Sequence, residues 1–376
     1  MKVYIVIASI NPLSNLRPLI DEIKNGLEYT ISTKLVVVDE GDTKLRSLNQ
    51  RLLDGVTYEF YGPTERIRWF QERFGKAYDK YLSIIPEKCH AETSFGFLIA
   101  WEEDADVVIE LDDDVKILEQ HPLVKQHLKN LYTNNGITVY SKNKWYNTID
   151  NLVYKGTLQR IFPRGHPYEP TVRVEDYERI TRGGECVLNM GLWSGDLDLD
   201  AITLLYNGGL NGKSYIKGIG IKREKVIVGK GNYFAICSMN TAFRCKVIPA
   251  FYQLYMNFMG IDRFDDIWSG LFLKKIADHL GDKICLGEPL VYHDKRPRNI
   301  FKDLRRELEG IIMNEILWKI ADSLQLSGKD YYSSYQELAD GLESNLDMFA
   351  EKFHRKFMLM QVQKMRLWLK IIDKIK

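Results

Sequence analysis

One stretch restricts the fold of this chain more than any other. The run Val107-Val108-Ile109-Glu110-Leu111 leads directly into Asp112-Asp113-Asp114. A short, largely apolar run closed by charge reads as a strand buried on both faces, the kind found in a sheet covered by helices. Three adjacent carboxylates repel one another unless a cation or hydrogen-bond donors offset the charge. At the carboxyl end of a strand in an open α/β sheet, where ligands tend to bind, the usual partner is a divalent ion with bound phosphates. If the strand continues at roughly 3.3 Å per residue, Asp112 and Asp114 share one side, about 6–7 Å apart.

The segments before this run alternate in type. Residues 3–8, 34–38 and 57–61 read as strands, and 106–111 as a fourth. Between them, 16–27 has helical spacing with Ser14 or Asn15 at its N-cap, and 65–84 and 93–102 also read as helices. Asp39-Glu40-Gly41-Asp42 is a turn sequence. This βαβα order implies an α/β fold with a mostly parallel central sheet and flanking helices. Residues 133–182 read as extended segments and loops rich in Tyr, Arg, Pro and Gly. Helices are expected again at 249–259, 268–280 and 301–317.

Composition removes several classes of function. A net charge of +1 provides no general field for nucleic acid, so no nucleic-acid partner is expected. Five cysteines without C-x-x-C spacing suit reduced thiols in a cytoplasmic protein. The apolar start, Met1 to Ala8, is too short for a signal peptide or a membrane span. Residues 349–376 form a basic amphipathic helix candidate, with eight Lys or Arg and two acids in 351–376. Such a helix suits peripheral contact with an anionic membrane, or packing of its apolar side on this or another subunit in a homo- or hetero-oligomer.

Further residues carry chemistry. Asp265 and Asp266 sit where a helix would begin; one can cap it while the other holds a sugar hydroxyl or acts as a base. His293 ends a strand-like run, and imidazole with carboxylates suits Mn2+ or similar metals. Lys295, Arg296 and Arg298 follow within reach of phosphate oxygens. Arg160 and Arg164 lie in a shaped loop, and either suits an anionic group. Ser9 and Asp39 end the first and second strands, the edge where a nucleoside is commonly held.

In this order the motifs resemble those of the reversibly glycosylated polypeptides, a family that includes the plant UDP-arabinopyranose mutases. The matching stretches are Leu111-Asp112-Asp113-Asp114, Phe162-Pro163-Arg164-Gly165-His166-Pro167, and Gly191-Leu192-Trp193 with the acidic stretch 196–200. They continue with Cys237-Ser238-Met239-Asn240-Thr241-Ala242-Phe243, Arg263-Phe264-Asp265-Asp266-Ile267-Trp268-Ser269-Gly270, Asp278-His279-Leu280-Gly281 and Tyr292-His293. Val115 stands where the family has Cys, and Thr93-Ser94 where it has Arg-Cys.

The resemblance implies a GT-A-like glycosyltransferase fold over residues 1–310 with a C-terminal helical extension over 311–376. It also implies a UDP-sugar substrate and Mn2+ or Mg2+ held by Asp112, Asp114 and His293. Ser9, Asp39, Asp112, Asp113 and Lys295 would hold the nucleotide. Arg164, whose family counterpart is tied to reversible self-glycosylation and to mutase activity, would act with Asp265 and Asp266 on the sugar. The expected activity is a pyranose–furanose mutase. A glycosyltransferase passing sugar to a protein, glycan or lipid-linked acceptor, and a non-catalytic UDP-sugar-binding subunit, are the alternatives.

Overall fold

The computed structural model describes residues 1–27, 30–157 and 159–376. Its strands are β1 (Lys2–Ser9), β2 (Ser32–Asp39), β3 (Tyr58–Tyr61), β4 (Val107–Asp112), β5 (Val115–Ile117), β6 (Ile137–Ser141) and β7 (Leu152–Lys155). They continue as β8 (Tyr177–Ile180), β9 (Leu188–Asp196), β10 (Lys217–Ile221), β11 (Lys225–Val228), β12 (Asn240–Arg244) and β13 (Ile284–His293). The α-helices are α1 (Arg17–Gly26), α2 (Thr43–Leu52), α3 (Pro63–Phe74), α4 (Tyr78–Leu82), α5 (Thr93–Glu102) and α6 (Leu123–Tyr132). They are followed by α7 (Ala201–Tyr206), α8 (Asp265–Leu280), α9 (Ile300–Ser323), α10 (Tyr331–Ser344) and α11 (Lys352–Lys374).

One mixed sheet runs β3-β2-β1-β4-β12-β9-β13-β11-β6-β8. The half from β3 to β4 is parallel, as the alternation of strands and helices leads one to expect. Beyond it the sense changes: β12 is antiparallel to both β4 and β9, while β13 is parallel to β9. The register sets the functional edge. Ser9 pairs with Asp39 across β1 and β2, and Ala8 with Asp112 across β1 and β4. Helix α5 is buried over Thr93 to Ala100 and lies so close to β1 that a Cβ on Gly96 would come within 2.3 Å of Val6. Both faces of β1 and β4 are therefore covered, which is why these strands read as near-continuous apolar runs.

The chain departs from the sequence expectations in three places. Helix α1 begins at Arg17 without a side-chain cap, because Leu16 stands at the N-cap position; Asn15 instead donates its Nδ2 to the carbonyl of Asp113 (2.9 Å) and to that of Val115. The helix expected over 65–84 breaks at Gly75, whose φ of 53° other residues rarely adopt. The helix expected over 249–259 does not form. Pro249 sits in a 3-10 turn (Cys245–Ala250), and side chains from three other helices take the backbone groups that follow. Ser269 donates to the carbonyl of Tyr252, Gln361 to that of Tyr255, and the N–H of Gln253 donates to Ser94.

Helix α9 runs through residue 310, where the extension was expected to begin. The apolar stripe of α11 faces inward on the same chain: Phe357, Met365, Leu369 and Ile372 are buried, and Phe353 stays outside. Trp368 stacks on Tyr252 and donates its indole N–H to the carbonyl of Ile248. Among the described residues, no helix is long and apolar enough to cross a membrane.

Candidate active site

The acidic turn after β4 is built before any ligand arrives. Asp113 accepts from the N–H of Ile10 (2.9 Å) and from Asn11 Nδ2 (2.8 and 2.9 Å), while Asn15 holds the backbone on the far side. Asp112 and Asp114 line the space in front of this turn. Two adjoining cavities of about 240 Å³ each meet at this turn, and their shared wall is Lys88, Cys89, His90, Asp112 and Asp114. One cavity is bordered by Ala8, Ser9, Ile10, Glu92 and Asp113. The other is bordered by Arg164, Asp198, Asp265, Asp266, His293 and Lys295. A larger cavity of about 790 Å³ opens at the opposite edge of the sheet, beside Trp101, Lys246 and Tyr331. It lies away from the strand carboxyl ends and from the acidic turn, so the paired cavities are where the chemistry is concentrated.

A buried ion cluster floors the second cavity. Arg164 bridges two carboxylates, meeting Asp198 at 3.0 Å and Asp266 at 3.1 Å, and its Nη1 donates to the carbonyl of Arg263. Its loop permits this because Gly165 adopts φ 86° and packs so tightly on Ile267 that a side chain would clash. Arg263 itself holds a positive φ of 67°, which aims its carbonyl at Arg164, while its side chain is pinned by Glu307 at 2.6 Å. Burial opposes ionisation of Asp198, but Arg164 and Lys295 outweigh it and hold this carboxyl well below the usual range. Lys295 Nζ is buried, 3.6 Å from Asp198, with no hydrogen-bond partner among the described residues. Burial brings it down to about 8.

His90 links the two sides. Its Nδ1 is 3.0 Å from Asp265, and its Nε2 is 2.9 Å from Ser238 Oγ, 3.3 Å from Asp112 and 3.4 Å from Glu110. Burial opposes a positive charge here, yet Asp112 and Asp265 raise its pKa well above the ordinary imidazole value. Glu110 lies beneath, accepting from Thr93 and Gln253. Burial pushes its carboxyl up to about 8.

The donor set suits a divalent metal. His293 Nδ1 donates to the carbonyl of Asp196 (2.8 Å), which leaves Nε2 with its lone pair. Burial and the nearby Lys295 bring its pKa down to about 4, so the ring is neutral. Asp114 Oδ1 is enclosed without a partner among the described residues. Burial, Asp112 and Asp113 push Asp114 up to about 7, a penalty that a bound cation would remove. Among the described residues no three His, Cys, Asp or Glu side chains are already drawn into a ligating cluster. Asp112, Asp114 and His293 face one cavity.

The structure thus brings together Asp112, Asp114, Arg164, Asp265, Asp266, His293 and Lys295, with Ser9 on the adjoining side. Asp265 and Asp266 open α8: Asp266 accepts from the N–H of Ile267 in the first turn (2.9 Å) and also meets Arg164, while Asp265 turns to His90. Two expectations change. Asp113 uses its carboxylate to hold Ile10 and Asn11, although it still borders the first cavity. Asp39 reaches neither cavity, because it folds back to accept from the N–H of Gly41 and lies 4.0 Å from Arg46. His90, Glu92, Glu110 and Asp198 were not singled out. Glu110 carried a signal, as the one charge inside an apolar strand, and Asp198 lay in a noted acidic stretch. His90 and Glu92 carried none.

A profile described as reversibly glycosylated polypeptide matches residues 1–375. The chain belongs to this family. Its similarity to curated family relatives is moderate. It is 27% identical over 303 residues to UDP-arabinopyranose mutase 1 of Arabidopsis thaliana, covering 78% of this chain and 73% of the relative. It is 27% identical over 325 residues to the probable UDP-arabinopyranose mutase 1 of Pisum sativum, covering 83% and 77%. Among solved structures, a glucosyl-3-phosphoglycerate synthase from Mycobacterium tuberculosis, in complex with Mn2+, UDP and phosphoglyceric acid, superposes at a TM-score of 0.40. That match has 14% identity and covers 87% of this chain and 80% of the other. Membership of the reversibly glycosylated polypeptide family rests on the sequence profile alone.

Proposed function

We propose that this chain is a metal-dependent UDP-sugar mutase that interconverts pyranose and furanose forms of a UDP-bound sugar. The carrying observation is the pair of cavities that meet at Asp112 and Asp114, one suited to a nucleoside and the other to a sugar. Membership of the reversibly glycosylated polypeptide family, and relatives named as UDP-arabinopyranose mutases, support the same reading. Asp112, Asp114 and His293 would hold Mn2+ or Mg2+, which when bound offsets the charge of the diphosphate. Lys295 lies on the same wall and adds positive charge for the phosphate oxygens.

The remaining chemistry belongs to side chains. The anomeric C–O bond to UDP breaks with its electron pair leaving on the phosphate oxygen. UDP stays in place while C1 bonds to the oxygen of another sugar hydroxyl. The bond from C1 to the former ring oxygen breaks, that oxygen takes up the proton the hydroxyl gives up, and the phosphate oxygen of UDP then re-forms its bond to C1. Arg164 is positioned by Asp198 and Asp266 and stays protonated, so it acts as a fixed positive charge beside the departing group. Asp265, held by His90, faces the same cavity and orients sugar hydroxyls. The unpaired thiols of all five cysteines suit a reducing compartment such as the cytoplasm.

Incubating the pure protein and Mn2+ with UDP-arabinopyranose and a panel of other UDP-sugars tests this reading. Isomerised nucleotide sugar without net loss of UDP-sugar is the expected result. Free UDP with stoichiometric gain of sugar on an acceptor would replace it with a transferase. No turnover with retained binding would leave a binding subunit.

A further inference from the structure

The cavity on the nucleoside side contains an acid that the chemistry above does not use. Glu92 opens the turn into α5 and borders that cavity with Ser9, Ile10 and the acidic turn. It is 2% exposed, and its Oε2 has no hydrogen-bond partner among the described residues. A buried carboxyl oxygen without a donor is costly, and a ligand that supplies one removes the cost.

The neighbours of Glu92 decide what it can offer. Glu40 lies beside it and is ion-paired with Arg66, with both side chains of that pair buried. Burial, reinforced by Glu40, pushes Glu92 up to about 9, so it is neutral near pH 7. Its Oε2, on the border of the cavity and without a partner among the described residues, can accept a hydrogen bond from a ligand.

We infer that Glu92 accepts a hydrogen bond from the imide N3–H of the uracil ring, and so selects uridine nucleotides over cytidine nucleotides. Uracil carries a proton on N3, whereas cytosine has a lone pair there. A fixed acceptor meets the first and repels the second. The sequence assigned the nucleoside to Asp39, but Asp39 turns back onto Gly41 and Glu92 stands in the cavity in its place. The inference rests on the reading of the paired cavities as a UDP-sugar site.

The test is calorimetric titration of the full chain, with Mn2+ present, by UDP, CDP and N3-methyl-UDP. Glu92→Gln should bind UDP within about twofold of wild type, because its amide N–H2 donates to Glu40 and its carbonyl accepts N3–H. Glu92→Ala should lose about tenfold for UDP and show little change for N3-methyl-UDP. Circular dichroism melting of each variant checks that the Glu40–Arg66 pair and the fold persist. Unchanged UDP affinity in Glu92→Ala, or equal losses for UDP and its N3-methyl form in a folded variant, would overturn the inference while leaving the parent reading in place. Failure of the wild type to bind any of the three would overturn both.

Discussion

Arg164 allows structural and chemical roles to be separated by experiment. Its guanidinium meets Asp198 at 3.0 Å and Asp266 at 3.1 Å in a setting where all three side chains are buried. Replacing it by Ala leaves two carboxylates facing each other, with Lys295 3.6 Å from one of them. Breaking a buried pair by removing one partner typically costs about 3–5 kcal/mol. For a chain of this size that is a fall in Tm of roughly 4–6 °C. Arg164→Lys keeps the charge but not the forked geometry, so it should recover part of that loss. The triple variant Arg164→Met, Asp198→Asn, Asp266→Asn removes charge from all three positions and should recover most of it. Turnover of UDP-sugars should stay at least about 100-fold down in Arg164→Ala and in the triple variant, as expected when a preorganised charge at the reacting bond is lost. Differential scanning fluorimetry and chromatographic assay of nucleotide sugars provide the two readouts. Wild-type Tm in Arg164→Ala would refute the coupling, and wild-type turnover in the triple variant would refute the chemical role.

Three further outcomes are expected. Asp114→Asn should keep the fold, since its carboxyl is buried and pushed up to about 7, yet lower Mn2+ affinity at least about tenfold by calorimetry and abolish turnover; full activity with excess chelator would remove the metal role. His127 is buried between Asn240 and Asn189, and burial brings its pKa from 6.5 down to about 4. The unfolded chain therefore binds the proton first, and stability present above pH 6.5 is lost as pH falls toward 4, by about 3 kcal/mol in all. Urea unfolding across that window should show a shallower pH dependence in His127→Gln, and identical slopes would count against the assignment. Trp368→Ala should cost about 3–5 kcal/mol in the same assay, because the ring is buried against Tyr252; a loss under 1 kcal/mol would mean that α11 is not anchored there.

The sequence made the β1 to β4 half legible because its signal is local. Apolar runs ended by turn residues define strands to within a residue or two, and Thr93 to Glu102 was read as a helix at its observed limits. The segment 249–259 was misread for the opposite reason. Its backbone groups are taken by Ser94, Ser269 and Gln361, which are remote in sequence, so nothing within the segment announces the loss of helix. The site divides the same way. Carboxylates at a strand end, an arginine in a shaped loop and a histidine after a strand are chemical types in recognisable places. Asp39 satisfied the same rule, yet its Oδ1 accepts from the N–H of Gly41 and it borders neither cavity. His90 and Glu92 lie in irregular chain, and they matter only through burial beside Asp265, Asp112 and Glu40.

The wall of Lys88, Cys89, His90, Asp112 and Asp114 between the two cavities has a consequence for stereochemical bookkeeping. On the proposed mutase reading this wall stands where the nucleoside side meets the sugar side, so the bond that breaks and the bond that re-forms lie at one place beside Asp112 and Asp114, and a change of ring size is a pivot rather than a transfer. Water is the competitor at that place. Loosening the segment before His90 is then expected to raise hydrolysis relative to isomerisation before turnover is lost.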